Sequence, residues 1–320
     1  MRALRSAGRA WLFAPAGPGA AVRLGWVRLL FCLGLLGLYG TRDFGLWAEV
    51  DPAFVKPFLL LGLWAPPVAD AGTLTAMTWL FRASLVCGTL GLVTRPALGV
   101  AAALSFYLLG LEQQFGKLHH MDGPVVLLLI VLAASRCGDA VSLDARWRRG
   151  DATGRPERRA RLTQRARAGA YTWPARAGPL VLVTVFFAAG VAKLRNGGVT
   201  WAWSDTMTVA TLKSQYDATA GGPATGLGLL LLGVPWLARP AAAGALLLEL
   251  SYPATLFSRR LRWVIVPGTL LLLLAIRLTM GPRFGTFMLA HVFWLAGPGR
   301  RPGPPPVDVT AGSGPAAPAA

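Results

Sequence analysis

Acidic residues are scarce in this chain. Fourteen Asp and Glu stand against 32 Lys and Arg, and charged residues fill only 14% of 320 positions. A soluble domain carries about a quarter, so an ordinary soluble globular protein is excluded. Lysine is rarer still. Lys56, Lys117, Lys193 and Lys213 are all there are, which leaves 28 of the 32 basic residues as arginine. Cysteine is limited to Cys32, Cys87 and Cys137. The number is odd and no CxxC occurs, which excludes a disulfide framework and a thiol-redox motif. Histidine occurs only at 119, 120 and 291, too few for a zinc site without further ligands. No Walker A loop, no GxGxxG after a strand, no HExxH and no GxSxG elbow is found. Ala188-Ala189-Gly190 is no dinucleotide fingerprint, because it lies inside an apolar helix. With Ala192 it reads as a small-residue helix contact.

Apolar residues, by contrast, fill 54% of the chain, and the mean hydropathy is +0.51. Several runs approach the roughly 20 residues needed to cross a bilayer. Lipid leaves open backbone groups without partners, so the spans are helical. Continuous Leu, Ala, Val and Gly runs contradict the alternation of a barrel. The expected fold is an all-α polytopic transmembrane bundle of eight to nine helices. The net charge of +18 sits mostly in loops. It points to anionic lipid headgroups and a cell-membrane topology rather than to nucleic acid. No protein partner is indicated.

In chain order, residues 1–20 form a basic interfacial segment with Arg2, Arg5 and Arg9, and a transmembrane domain covers 21–296. The first span covers 21–40, with Arg23 and Arg28 at its start. Spans follow over about 74–93, 97–115, 124–134 and 179–194. Phe58 to Trp64 suggests a short interfacial helix. Asp122 is placed to cap the fourth span, and Pro124 suits its first turn. Arg136 and Asp139 are spaced to pair. Residues 145–176 hold ten arginines, which makes this loop cytoplasmic, and with it the N-terminus. Its low apolar content reads as a surface arm or as a partly disordered one. Later spans are expected over about 224–237, 241–257, 263–280 and 284–295, and 297–320 as a Pro/Gly/Ala-rich disordered tail. Strict alternation then puts Arg259, Arg260 and Arg262 outside, against the positive-inside rule. Either 224–257 makes one crossing plus a re-entrant piece, or earlier spans override the late charges.

Four ionisable residues fall inside apolar runs: Arg82, Lys193, Glu249 and Arg277. Such residues face a bundle interior and pair there. Glu249 can pair with Arg277 or with Lys193. Lys193 is the odd one, in a chain that otherwise uses arginine. Arginine stays protonated, whereas a desolvated lysine can act as a base. The alternative is a lysine reaching to headgroups from a helix end. Alternation puts His119 and His120 at the same membrane face as Lys193. Trp201 and Trp203 beyond it suit an interfacial anchor. A haem held by His120 and His291 is a third, weaker reading.

Phe186-Phe187-Ala188-Ala189-Gly190-Val191-Ala192-Lys193-Leu194, followed by a Trp-containing connection, resembles the signature helix of the vitamin K-dependent gamma-carboxylase-like family, whose bacterial members are HTTM-domain membrane proteins. Ala21 to Phe31, His119-His120, Ser142-Leu143-Asp144 and Leu248-Glu249-Leu250 resemble further family stretches, in the same order. The resemblance covers roughly residues 20 to 296. It implies Lys193 as the base that deprotonates a reduced quinone, with His120 or His119 assisting. Two departures stand out. Arg277 takes the place of a frequent family histidine, and no lumenal substrate domain is present in 320 residues. Glutamate carboxylation is therefore not expected. The resemblance leaves oxidation of a quinone-like lipophile, or a scaffold, transporter or lipid- or partner-binding role in which Lys193 and Glu249 are structural.

Overall fold

The structure, a computed structural model, describes residues 2–17, 19–56, 68–115, 122–148, 155–216, 226–281 and 284–297. Among these, regular structure is entirely helical, with fourteen α-helices. The first half contains α1 (Arg2–Leu12), α2 (Gly19–Tyr39), α3 (Ala71–Leu90), α4 (Thr94–Leu111), α5 (Gly123–Ala134), α6 (Leu143–Trp147) and α7 (Arg155–Arg167). The second half contains α8 (Thr172–Gly197), α9 (Thr206–Tyr216), α10 (Gly226–Leu232), α11 (Ala238–Ser251), α12 (Ala254–Phe257), α13 (Arg259–Met280) and α14 (Gly285–Ala290). A 3₁₀ turn, His291–Ala296, extends α14.

The expectation of eight to nine spans is not met. Among the described residues, four helices are long and apolar enough to cross a membrane: Gly19–Tyr39, Thr94–Gln114, Thr172–Gly197 and Arg259–Met280. A bent pair, Gly226–Leu232 with Pro235–Ser251, makes a fifth if it is one span. Two physical causes account for part of the shortfall; the twenty-residue α3 is long enough but is not among the four. The apolar run at 224–237 breaks near Gly233 and Pro235, where the chain bends by 93°. The helices of the fourth and last expected spans are also short; α5 has only twelve residues, about 18 Å of rise.

Local chemistry sets the helix ends. Asp70 caps α3 by accepting from the Thr73 amide at 3.0 Å. Gly91 ends α3 in the left-handed region at φ 70°, where glycine carries no Cβ penalty. Ser142 caps α6 through the Ala145 amide at 3.0 Å, and Ser258 caps α13 through the Leu261 amide at 3.3 Å. Asp122 does not cap α5 as expected. Its carboxylate accepts instead from the Tyr39 hydroxyl. Arg136 and Asp139 do not pair through their side chains either. Asp139 accepts from Arg165 at 2.7 Å and from the Tyr171 hydroxyl at 2.8 Å. This contact ties the Arg-rich segment to the bundle. Within this segment, residues 155–167 form the thirteen-residue α7. Phe58–Trp64 and the tail from 298 lie outside the described residues.

The core is made by the facing sides of α2, α3, α4, α5 and α8, with Phe31, Leu85, Leu98, Leu128 and Leu182 fully enclosed. Outward faces stay apolar. On α13, Trp263 is 72% exposed and Leu271 66%. In water this would be an aggregation hazard, whereas in a bilayer it is the lipid-facing surface. Contacts sort the helix termini into two ends. At the first end Asp144 meets Thr94, Trp11 meets Arg176, and Arg262 meets Trp294. At the second, Tyr39 meets Asp122, Arg42 meets Glu112, and Gln215 meets the Thr279 carbonyl. The start of α13, with Arg262, therefore shares an end with the Arg-rich segment. The two helices Gly226–Leu232 and Pro235–Ser251 meet at a bend of 93°.

Candidate functional site

Glycine-lined contact between α8 and α11 builds the site. Gly190 lies against α11 so closely that an added Cβ would sit 3.1 Å from the Glu249 Cβ. One helical turn on, Lys193 reaches the same residue. Its Nζ lies 2.6 Å from both carboxylate oxygens of Glu249. The Glu249 residue is 8% exposed, and the lysine side chain is about a quarter exposed, at 26%. A two-point contact to a carboxylate in a dry setting is among the stronger polar contacts a lysine makes. The Trp201 ring, on the 3₁₀ turn Val199–Ala202, covers the amine with its centroid 5.3 Å from Nζ. Lys193 is therefore flanked by a carboxylate and an aromatic face while a quarter of its side chain stays exposed, and it is not an unpaired headgroup anchor.

The other expected members do not join this pair. Arg277, in the last turn of α13, bends back to donate to the Gly281 carbonyl and is exposed. A helix C-terminus offers such carbonyls freely, and this local acceptor holds the guanidinium there. Arg82 donates to the Arg42 carbonyl at 2.7 Å and stacks on Trp79 with its guanidinium carbon 4.7 Å from the ring centre. The expected network of Glu249, Arg277 and Arg82 is thus three separate contacts. His119 and His120 lie outside the described residues.

His291 is not free for an axial role. Its Nδ1 lies 2.7 Å from the Phe287 carbonyl, and its Nε2 lies 3.0 Å from the Tyr252 hydroxyl. A carbonyl only accepts, so Nδ1 carries the proton and Nε2 accepts from Tyr252. The Trp294 Nε1–H in turn donates to the Tyr252 oxygen at 3.2 Å. Every polar atom in this buried chain is then satisfied. No cluster of three or more His, Cys, Asp or Glu side chains suited to a metal occurs among the described residues.

Three features escaped the sequence reading. Arg28 is fully enclosed and donates to the Val141 carbonyl, beside Gly91 and Ser142. Its position within an apolar helix was a usable signal, overlooked because helix starts often carry arginine. The second is the Arg42–Glu112 pair at 2.5 Å, which links the turn after α2 to the end of α4. The third is the anchoring by Asp144, which accepts from the Val93 and Thr94 amides at 2.9 Å each and from the Thr94 hydroxyl at 2.7 Å. Burial pushes the Asp144 carboxyl upward, but the Thr94 and Val93 hydrogen bonds and the nearby Arg148 outweigh it. The net shift is below the ordinary carboxylate range.

Comparison with family models, with curated proteins and with solved structures finds no match.

Proposed function

We propose that this chain is a multi-pass membrane protein of the HTTM type that works as a helical scaffold, with Lys193 and Glu249 as a structural ion pair. It engages anionic headgroups through its arginine-rich end. The observation that carries this reading is the two-point contact of the Lys193 amine with Glu249. A base needs a lone pair directed at a substrate, and here the amine is directed at a carboxylate. The headgroup role rests on charge. The arginines of α7 and of the start of α13 share one end, which the positive-inside rule makes cytoplasmic. The N-terminus lies at that end as well. The test is a paired substitution. Replacing Lys193 by Met together with Glu249 by Leu leaves a scaffold folded, because an apolar pair substitutes for a buried ion pair. Either change alone destabilises it.

A second reading is supported by the Trp201 ring over the amine. A flat quinone-like molecule entering beside Trp201 would find a stacking surface next to Lys193, with His120 or His119 as the assisting group. This reading predicts reduced-quinone oxidation by the purified protein, lost in both Lys193→Ala and Lys193→Arg. Absence of turnover in the parent protein removes it.

A further inference from the structure

The first helix, α1, carries two opposed stripes. Arg2, Arg5 and Arg9 recur at spacings of three and four residues, and so do Leu4, Ala7 and Trp11. At about 100° per residue, the two-residue offset between the stripes is about 200°, which puts them on opposite sides of the helix. The first acidic residue of the chain is Asp43, so every side-chain charge on α1 is positive.

The C-terminal end of α1 is pinned to the bundle. The Arg176 guanidinium lies over the Trp11 ring, 4.7 Å from its centre. Ala16 donates its amide to the Ala166 carbonyl of α7 at 3.1 Å. Between these contacts Gly169, at φ 74°, lets the Phe13 backbone lie where a side chain would otherwise stand. Ala7, Gly8, Arg9 and Ala10, by contrast, are exposed. Trp11 belongs to the apolar stripe, and its contact with α8 sets the roll of the helix. That stripe turns toward the bundle and the arginine stripe away from it. Ala7, one turn back on the same side, overhangs the bundle and stays exposed.

A helix with one basic and one apolar side, ending on a tryptophan, suits the interfacial plane of a bilayer. Its length, about 16 Å at 1.5 Å per residue, is too short for about 30 Å of hydrocarbon, which leaves the surface as its place. Charge selects the surface, because anionic headgroups complement a wholly basic side.

We propose that α1 lies flat on the bilayer as an anchor for anionic phospholipid, with Leu4, Ala7 and Trp11 on its acyl-chain side and Arg2, Arg5 and Arg9 on its headgroup side. The proposal rests on the membrane reading above. It adds an element separate from α7 and the start of α13, and one that enters the apolar layer as well as touching headgroups.

The full chain, in a Cys87→Ala background, is labelled with a polarity-sensitive fluorophore at Ala7→Cys or at Arg9→Cys. It is reconstituted in vesicles of phosphatidylglycerol with phosphatidylcholine, or of phosphatidylcholine alone. Cys32 and Cys137 are buried and stay unlabelled. Acrylamide, a neutral quencher, reports exposure to water. In the phosphatidylglycerol vesicles the probe at Ala7 is expected to be blue-shifted and shielded, and the probe at Arg9 quenched. Arg2→Gln and Arg5→Gln each lower the ratio of shielded to quenched Ala7 probe by about fivefold, the worth of one basic side chain near such a surface. Arg159→Gln on α7 leaves that ratio unchanged. Circular dichroism confirms that each variant keeps its helices. Equal quenching at the two positions overturns the proposal. So does shielding at Ala7 that is as strong in phosphatidylcholine alone or in the Arg2→Gln/Arg5→Gln double variant, since charge would then play no part. A chain that fails to enter bilayers overturns the membrane reading itself, whereas one that inserts with α1 exposed on both sides overturns only this anchor.

Discussion

Gly190 and Glu249 touch across the α8–α11 contact, with only 3.1 Å between the Glu249 Cβ and where a Gly190 Cβ would stand. That approach brings Lys193 within 2.6 Å of both Glu249 oxygens. The ion pair and the small residue are one device: without the close backbone, the lysine would have to stretch away from its own helix.

Gly190→Leu is expected to destabilise the protein by about 1–3 kcal/mol through overpacking. Gly190→Ala should cost less, because the Leu250 side chain can give way and alanine favours the helix. Thermal unfolding in detergent, followed by circular dichroism, checks the order. Equal melting points for all three proteins would show that the two helices do not depend on this contact.

Removing one member of the pair leaves the other uncompensated. Breaking a fully buried pair costs about 3–5 kcal/mol. Lys193 is about a quarter exposed, at 26%, so solvent screening reduces the expected cost of Glu249→Gln to roughly 1–3 kcal/mol. The Lys193→Met/Glu249→Leu double variant should recover most of this loss. Chemical denaturation of the four proteins of this cycle measures the coupling directly. A double variant as unstable as the sum of the singles would mean that no coupling exists.

Gly91→Ala should be among the most damaging single-methyl additions in the chain. Its φ of 70° is strained for any L side chain, and the new methyl would meet the Arg28 guanidinium and the Ser142 Cβ. A loss of about 2–4 kcal/mol is expected from backbone strain and overpacking together. Expression and melting temperature in detergent read it out. Parent-like stability would show that the α3–α4 turn is not locked by Arg28 and Ser142.

Acidification should loosen the same turn. The Asp144 carboxyl is held below its ordinary value in the folded state. A depressed carboxylate contributes stability above its unfolded pKa, and that contribution is lost as pH falls through the folded value. With an ordinary Asp near about 3.9, the loss begins below about pH 4. Hydrogen exchange at the Val93 and Thr94 amides, both bonded to Asp144, should quicken there. In Asp144→Asn the exchange should already be faster at neutral pH and show no such acid step.

The pattern of apolar runs was legible in the chain because lipid imposes it residue by residue. Four of the expected spans are found as long apolar helices. The Pro124 start of α5 and the helix through Lys193 were legible for the same local reason. What failed was long-range. Asp122 looked like a cap and instead binds Tyr39, 83 positions away. Asp139 looked like a partner for Arg136 and instead holds Arg165 and Tyr171. In both cases a tertiary acceptor or donor outcompeted the sequence neighbour, which no spacing rule can anticipate.

Composition alone established a helical, membrane-type protein with positive charge gathered in few segments, because water and lipid sort residues without reference to the fold. Only the tertiary structure decided how the ionisable residues pair. Lys193 and Glu249 stand 56 positions apart, and Arg277 was an equal candidate on the chain. The bend of 93° after α10 and the close approach at Gly190 gave Glu249 to Lys193, while Arg277 closed on its own helix end. The same bend set Arg262 at the end that carries Arg176. Charge can be counted along a chain, but which charges meet depends on where the helices cross.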